Sequence, residues 1–557
     1  MALPGAYLAE GGVSRTLHPF NGGIHPDDHK AESSAGLIQA MPLLARYVVP
    51  LSQHIGAPAR PLVTAGDTVL KGQMIGAPEG YVSVGVHAPT SGRVIAVEPR
   101  PTPHPSGLYD LAVVIEADGE DRAVEFQPVP WRELDASSLR NRLREMGLAG
   151  LGGAVFPSYI KLNPGRSAVH TLILNAAECE PWITCDDRLM RERAAQVLEG
   201  AEVMRTLLGA AAILVGIEDN KPEAAQALRA AAAANTEVVA VPTLYPSGAA
   251  KQLTRLLTGI EVPSGGRSTD AGIQVFNAGT AYALWRALAL GEPMISRIVT
   301  CTGHVARPGN WEVRLGAPVA DLLAAAGGTL EGCSGEIVGG PMMGFELMDR
   351  AAPVTKAVNC ILAKSPALFP AKPAALPCIR CGACARACPA DLQPFEMYWF
   401  SRVRDFGKAQ GYSLFDCIEC GCCSHVCPSH IPLVDYFRFA KSEIWERERD
   451  KTASDEARRR HEFKTFRLER EKKEKAEKFA KAAEASKAKA EGAGAGDDPD
   501  AAKKKAILEA ALARAAKARE GVTPKNTENL PPAVQREIAE IDARREQAEP
   551  PSDVNHG

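Results

Sequence analysis

No run of apolar residues in this chain approaches the ~18 that a membrane-spanning helix needs. There is no excess of charge of one sign either. The 64 basic and 67 acidic side chains leave a net charge of −3, which gives no pull toward nucleic acid. The first residues, Met1-Ala2-Leu3-Pro4-Gly5, lack the basic and apolar regions of a secretory signal. The expected location is therefore the cytoplasm or the cytoplasmic face of a membrane. The 557 residues suffice for several domains, and the 45% hydrophobic content can supply their cores.

Cysteine, by contrast, is abundant and clustered, as expected in a reducing compartment. Cys378, Cys381, Cys384 and Cys388-Pro389 recur 39 residues later as Cys417, Cys420, Cys423 and Cys427-Pro428. C-x2-C-x2-C-x3-C-P used twice is the ligand pattern of two [4Fe–4S] clusters, in which the fourth cysteine of each run serves the other cluster. The expected sets are Cys378, Cys381, Cys384 and Cys427 for one, and Cys417, Cys420, Cys423 and Cys388 for the other. Zinc knots favour paired C-x2-C ligands, not runs of three plus one. Cys179, Cys185, Cys301, Cys333 and Cys360 are scattered and read as small buried hydrophobes. Cys422, between two ligands, reads as a spectator.

The fold class expected is multidomain α/β and α+β. Residues 1–35 read as an N-terminal arm containing Gly22-Gly23-Ile24-His25-Pro26. Residues 36–125 carry short β-runs broken by Gly-Asp and Ser-Gly turns and resemble the barrel-sandwich hybrid of biotinyl and lipoyl carriers. The tip near Thr90-Ser91 has no lysine, so a structural platform is expected, not a swinging arm. Residues 126–295 alternate buried strands (172–175, 212–216) with helices (188–208, 221–234), the pattern of a Rossmann-like α/β layer with a mostly parallel sheet. Residues 296–360 return to β-texture with one short helix and read as a β-grasp module. The two-cluster ferredoxin domain spans 365–445. From 446 to 557 the chain is rich in Ala, Lys and Glu. Residues 441–491 hold 17 basic and 13 acidic side chains with no sustained apolar stripe, so a solvated helix or disorder is expected there, broken at 492–499 and followed by a second Ala/Lys helix to about residue 520.

The segment 147–157, Gly-Leu-Ala-Gly-Leu-Gly-Gly-Ala-Val-Phe-Pro, lacks the G-x-G-x-x-G spacing. A glycine cluster opening an α/β domain still lets backbone N–H groups approach a phosphate or a flat ring; a tight turn is the plainer alternative. After the next strand comes Asn175-Ala176-Ala177-Glu178-Cys179-Glu180-Pro181. Acidic groups at a strand's C-terminal end sit at the usual ligand crevice and can hold ribose hydroxyls, or they are surface charge.

G-x-G-G-A-x-F-P with downstream Lys161, then N-x-x-E-x-E-P, then Tyr245-Pro246-Ser247-Gly248 and Asn277, resembles the NADH- and FMN-binding flavoprotein subunit of respiratory complex I. The module order over about 20–445 is similar to the C-subunit family of Rnf-type ion-translocating ferredoxin:NAD oxidoreductases. The resemblance implies FMN and NAD(H) beside the clusters, with Gly150, Gly152, Gly153, Lys161, Asn175, Glu178 and Asn277 at the cofactors and Glu178 and Glu180 as the catalytic carboxylates. It also implies a peripheral subunit on the cytoplasmic side of the bacterial inner membrane, with integral and iron–sulfur subunits as partners and ferredoxin served indirectly. Leu151, Val155, Ala177 and Ala250 depart from the complex I pattern. Two alternatives share parts of this reading: a cobalamin reductase built from the same modules, and a non-enzymatic iron–sulfur relay scaffold.

Overall fold

A computed structural model describes residues 15–165, 167–491 and a few isolated positions between 503 and 535. Two compact units divide the chain, 1–450 and 451–557. In the first, the α/β layer positions the site. Its four parallel strands run Thr236–Val241, Ala212–Glu218, Thr171–Asn175, Ile273–Asn277 across the sheet. Leu172, Ile173, Leu174, Val215 and Ile217 are fully or almost fully buried, as strands covered by helices on both faces must be. The helix Cys185–Leu208 ends at Gly209 (φ 68°), whose N–H returns to Arg205 O. Gly200 on this helix lets Ala278–Trp285 approach: a Cβ there would lie 1.9 Å from Ala281 O. The chain order across the sheet reverses between Thr171–Asn175 and Ile273–Asn277, and ligands of open α/β sheets bind at such a reversal.

The barrel-sandwich region forms a four-stranded sheet (Arg46–Pro50, Tyr109–Ala117, Gly92–Pro101, Thr68–Val69) and a three-stranded one (Arg60–Pro61, Met74–Ala77, Val86–His87). Its tip is no free arm. Thr90 and Ser91 are fully buried, and their hydroxyls donate to Asp121 and Asp118. Asp121 also pairs with Lys71 and with Arg314 of the following β module, and the Arg314 guanidinium holds its carboxyl well below the usual range.

That β module is a six-stranded sheet with Ser296–Gly303 and Cys360–Lys364 at its centre. Two expected boundaries shift. Cys360–Lys364 pairs in parallel with Ser296–Gly303, so the module runs past 360 to Lys364. Gln39–Ala40, expected in the barrel-sandwich, instead extends the edge beside Gly309–Arg314. Tyr47, Val49 and Ile75 of the one module and Val299, Trp311 and Leu322 of the other belong to a single apolar core, so the two do not pack separately.

The cysteine domain is built of short helices, including Ala383–Arg386, Pro394–Arg402, Phe406–Gly411 and Cys422–His425, around Met397, Phe406, Leu414 and Phe437. It closes with the first turns of the helix Leu433–Glu491. Here the expected start of the solvated tail shifts too. Ile444 is buried, Lys441 is buried with its Nζ donating to Cys417 O (2.7 Å), and Arg447 lies over the Phe406 ring. From 451 to 488 almost every side chain is exposed, with i,i+4 pairs such as Arg467–Glu471 (3.6 Å) and Arg470–Glu474 (3.4 Å). The break at 492–499 and most of the Ala/Lys segment to 520 lie outside the described residues. Among those described, no helix is long and apolar enough to cross a membrane.

Candidate functional site

At the sheet reversal the last residues of the two adjacent strands, Asn175 and Asn277, lie opposite each other. Each holds a loop. Asn175 Nδ2 donates to Gly248 O (2.7 Å). Asn277 caps the helix Ala278–Trp285 by accepting from Thr280 N (3.1 Å), and its Nδ2 donates to Asp186 (2.5 Å). The glycine loop lies against this corner. Leu151 N donates to Thr280 Oγ1 (2.9 Å), and Gly150 N to Phe156 O (2.9 Å). A Cβ on Gly152 would stand 3.2 Å from Asn277 Cβ. Gly153 has φ +99°, where an L side chain is strained. The loop therefore exposes backbone at the head of a helix, where N–H groups and the helix dipole favour an anion.

Lys161 follows. Its Nζ donates to Val275 O and sits 4.4 Å from the Phe276 ring centre. Burial pushes its pKa down to about 8, and no carboxylate opposes that shift. A half-buried ammonium without a counter-charge among the described residues fits a ligand that carries a phosphate.

The two acidic candidates are committed to backbone. Glu178, at φ +47°, accepts from Asp186 N (2.6 Å) and Asp187 N (3.1 Å) at the start of Cys185–Leu208, and burial pushes its pKa up to about 8. Glu180 accepts from Met342 N (2.7 Å) and Met343 N (3.0 Å) in the β module, and burial raises its pKa as well. In this arrangement both fix the walls of the crevice. Several wall residues escaped the sequence reading because single polar residues on loops carry no periodic signal. Lys30 Nζ donates to the carbonyls of Glu178, Glu180 and Ile183. Lys356 Nζ donates to Gly147 O (2.6 Å), at the start of the glycine loop, and to Gly85 O (3.2 Å) of the barrel-sandwich; burial lowers its pKa to about 7.

The cysteines gather into two cavities that cross the sequence repeat. Cys378, Cys381, Cys384 and Cys427 line one. Cys388, Cys417, Cys420 and Cys423 line the other. The repeat is kept in the backbone: Arg380 and Glu419 have φ +54° and +58°, Gly382 and Gly421 +72° and +82°, Asp391 and His430 +53° and +51°. These turns aim N–H groups at sulfur. Arg380 N, Glu419 N and Leu392 N each lie 3.4 Å from the Sγ of Cys378, Cys417 and Cys388. Such donors suit sulfur ligated to iron and tune the potential of a cluster. Cys422 borders the second cavity and is fully buried, with its Sγ 4.0 Å from Tyr245 O.

The second cavity, the inner one, adjoins the crevice. Tyr245 Oη donates to Cys420 O (2.7 Å). The same phenol lies near the Glu180 carboxyl group. Met342, held by Glu180, approaches Gly421 so closely that a Cβ there would be 2.7 Å from Met342 O. Gly22 (φ +72°) does the same on the other side, where a Cβ would stand 2.5 Å from Cys388 O. Tyr245→Phe should therefore shift the midpoint potential of the group held by the inner set and leave that of the outer set in place. Potentiometric titration followed by EPR checks this, and equal potentials in variant and wild type would remove Tyr245 from the link.

Four family descriptions match in chain order: the RnfC barrel sandwich hybrid domain over 18–120, the Nuo51 FMN-binding domain over 143–286, the SLBB domain over 298–346 and the 4Fe-4S dicluster domain over 377–431. The expected combination of modules is thus present. The chain is 49% identical over 456 residues to the C-subunit of the ion-translocating oxidoreductase complex of Citrobacter koseri and 50% identical over 456 residues to that of Serratia proteamaculans. Both alignments cover 81% of this chain, but the chain spans only 64% and 65% of those two relatives. Against the corresponding protein of Salmonella arizonae the identity is 50% over 458 residues, with 81% of this chain and 68% of the relative covered.

Proposed function

Because this chain belongs to the C-subunit family of ion-translocating oxidoreductase complexes, we propose that it passes electrons between NADH, a bound FMN and two [4Fe–4S] clusters. It does so as a peripheral subunit on the cytoplasmic side of the membrane, with integral and iron–sulfur partners and ferredoxin at the far end of the chain. The observation that carries the reading is the continuity of crevice and inner cysteine set through Tyr245, Glu180 and Met342. FMN, when bound, accepts a hydride and releases electrons singly, and the clusters store one each. The residues supply the rest. The loop offers backbone at Gly152 and Gly153, its Gly150 and Leu151 N–H groups being spent on Phe156 O and Thr280 Oγ1, Lys161 offers charge to a phosphate, and Asn277 with Thr280 keeps loop and helix in register. Glu178, Glu180 and Lys30 hold the crevice walls. The relay-scaffold alternative leaves the half-buried Lys161 without a counter-charge. Anaerobic NADH should bleach a stoichiometric flavin absorbance and then the broad cluster absorbance. A preparation that holds eight iron and no flavin under native conditions would overturn the reading.

Lys161 adds a pH dependence. Only its ammonium form attracts a phosphate, and in the free crevice its pKa lies at about 8. Bound phosphate favours the charged form and raises that pKa. FMN affinity should therefore be full well below pH 8 and fall as pH rises through the free-state value. Titrations of the deflavinated protein across this range measure it. Lys161→Met should bind more weakly and lose the dependence.

A chain ending after Asp450 keeps Lys441, Ile444 and Arg447, which pack on the cysteine domain. It should retain all of its iron and its NADH oxidation with an artificial acceptor. Loss of iron on truncation would make the later residues part of the cluster fold.

A further inference from the structure

Lys356 sits where three modules meet. Its own segment is a fixed post of the β module. Val354 and Val358, on either side, are fully buried in the shared apolar core, and Val354 N donates to Ala317 O (2.7 Å). The Lys356 backbone is held as well. Its N–H donates to Gln53 Oε1 (3.3 Å) of the barrel-sandwich, and its carbonyl accepts from Arg297. From this post the side chain runs inward and is only 1% exposed. Its Nζ donates to Gly147 O (2.6 Å) and Gly85 O (3.2 Å), two buried carbonyls of two other modules. His54 and His87 of the barrel-sandwich face it, with Arg142 near His87, and none of them is a counter-charge. Gly147 is fitted closely to both neighbours. At φ +77°, its Cβ would stand 2.5 Å from Gly85 O and 3.0 Å from Lys356 Nζ. Gly85 N and Gly147 N both donate to Arg144 O (3.0 and 3.2 Å), so the two carbonyls belong to one tight junction.

We propose that Lys356 is a positioning residue for the flavin: from the β module it pins the entry of the glycine loop, at Gly147, against the barrel-sandwich at Gly85. The proposal rests on the reading that this loop carries FMN. Past Gly147 the loop closes on itself through Gly150 N and Phe156 O (2.9 Å), and Gly152 then lies against Asn277. A loop whose entry drifts cannot present Gly152 and Gly153 in one place. Backbone already held in its binding geometry binds more tightly than backbone that must be ordered on binding. A methionine would fill the space of Lys356 but would leave Gly85 O and Gly147 O without these donors, which is costly for buried carbonyls. The role needs N–H groups, not charge. Burial lowers the Lys356 pKa to about 7, yet the neutral amine still has two N–H donors for two carbonyls. Lys161, in contrast, serves a phosphate by its charge. The two lysines should therefore leave different marks on flavin binding.

The test titrates FMN into the full chain, stripped of flavin with its iron in place, from well below pH 8 to well above it. Lys356→Met should bind about tenfold more weakly at every pH and keep the fall through about 8 that Lys161→Met loses. Lys356→Gln, whose amide still donates, should fall between Lys356→Met and wild type. Leu322→Ala opens a cavity in the shared apolar core and should lower the thermal midpoint with FMN affinity unchanged. Unchanged affinity in Lys356→Met overturns the proposal. So does a loss confined to the range below about pH 7, which would make Lys356 a charge acting on the phosphate, or an equal loss in Leu322→Ala. Wild-type protein that binds no FMN sinks the flavin reading itself, whereas normal binding in wild type and Lys356→Met alike sinks only the role of Lys356. If Lys356→Met does not fold, hydrogen exchange of wild type decides. Coupling is reciprocal, so FMN should slow exchange at 83–87, 144–148 and 353–358 together. Protection that leaves out 353–358 overturns the link.

Discussion

Cys427→Ala should lose the same EPR signal as Cys378→Ala, although the two residues stand in different repeats, and Cys388→Ala should lose the other signal together with Cys417→Ala. The reason is the crossing of the two cavities: Cys427 joins Cys378, Cys381 and Cys384, while Cys388 joins Cys417, Cys420 and Cys423. Iron should drop from about eight to about four per chain in each variant, because a cube that loses one of its four thiolates is not retained stoichiometrically. The flavin should stay, since neither cavity contributes to the glycine loop. Cys422→Ala should keep both signals, because that sulfur faces Tyr245 O. A different pairing of phenotypes, with Cys427→Ala matching Cys417→Ala, would mean that each run keeps its own fourth ligand.

The second large effect is expected at Gly152. Even one Cβ there would stand 3.2 Å from Asn277 Cβ, and valine adds two methyl groups in the same direction. Asn277 cannot yield freely: it caps Ala278–Trp285 and holds Asp186. Overpacking of this kind costs ~1–3 kcal/mol, and here it must be relieved by the loop that would carry the flavin. Gly152→Val should lower flavin affinity at least about tenfold, which corresponds to ~1.4 kcal/mol or more. Iron content should be unchanged, because the cysteine domain has its own core. Gly150→Ala is the contrast. Its Cβ would meet Phe156 O at 3.5 Å, an ordinary contact, so that variant should keep most of its flavin. Equal flavin occupancy in Gly152→Val and wild type would place the flavin elsewhere.

Module order and the chemistry of the cysteines were legible in the amino-acid order alone. Both follow from local rules. The first three thiolates of C-x2-C-x2-C-x3-C-P meet one metal cube by spacing alone, and short β-branched and aliphatic runs such as Leu172-Ile173-Leu174, set between helical stretches, read as buried strand. The resemblance of the glycine loop and acidic stretch to known flavoproteins also marked one end of the proposed electron path. How these parts meet was a matter for the folded chain. That Gln39–Ala40 joins the β module, that Cys360–Lys364 lies at its centre, and that two β modules share one core depend on pairings between distant segments, which no local pattern encodes. The same holds for Lys30, Lys356 and Tyr245. Each is one polar residue on a loop, without periodicity. Each acts through a carbonyl far away in the chain: Glu178, Gly147 and Cys420. Glu178 and Glu180 read in sequence as crevice acids or surface charge, and only the fold turned them toward backbone N–H groups, because a carboxylate taken partly out of water must find donors where the chain happens to present them.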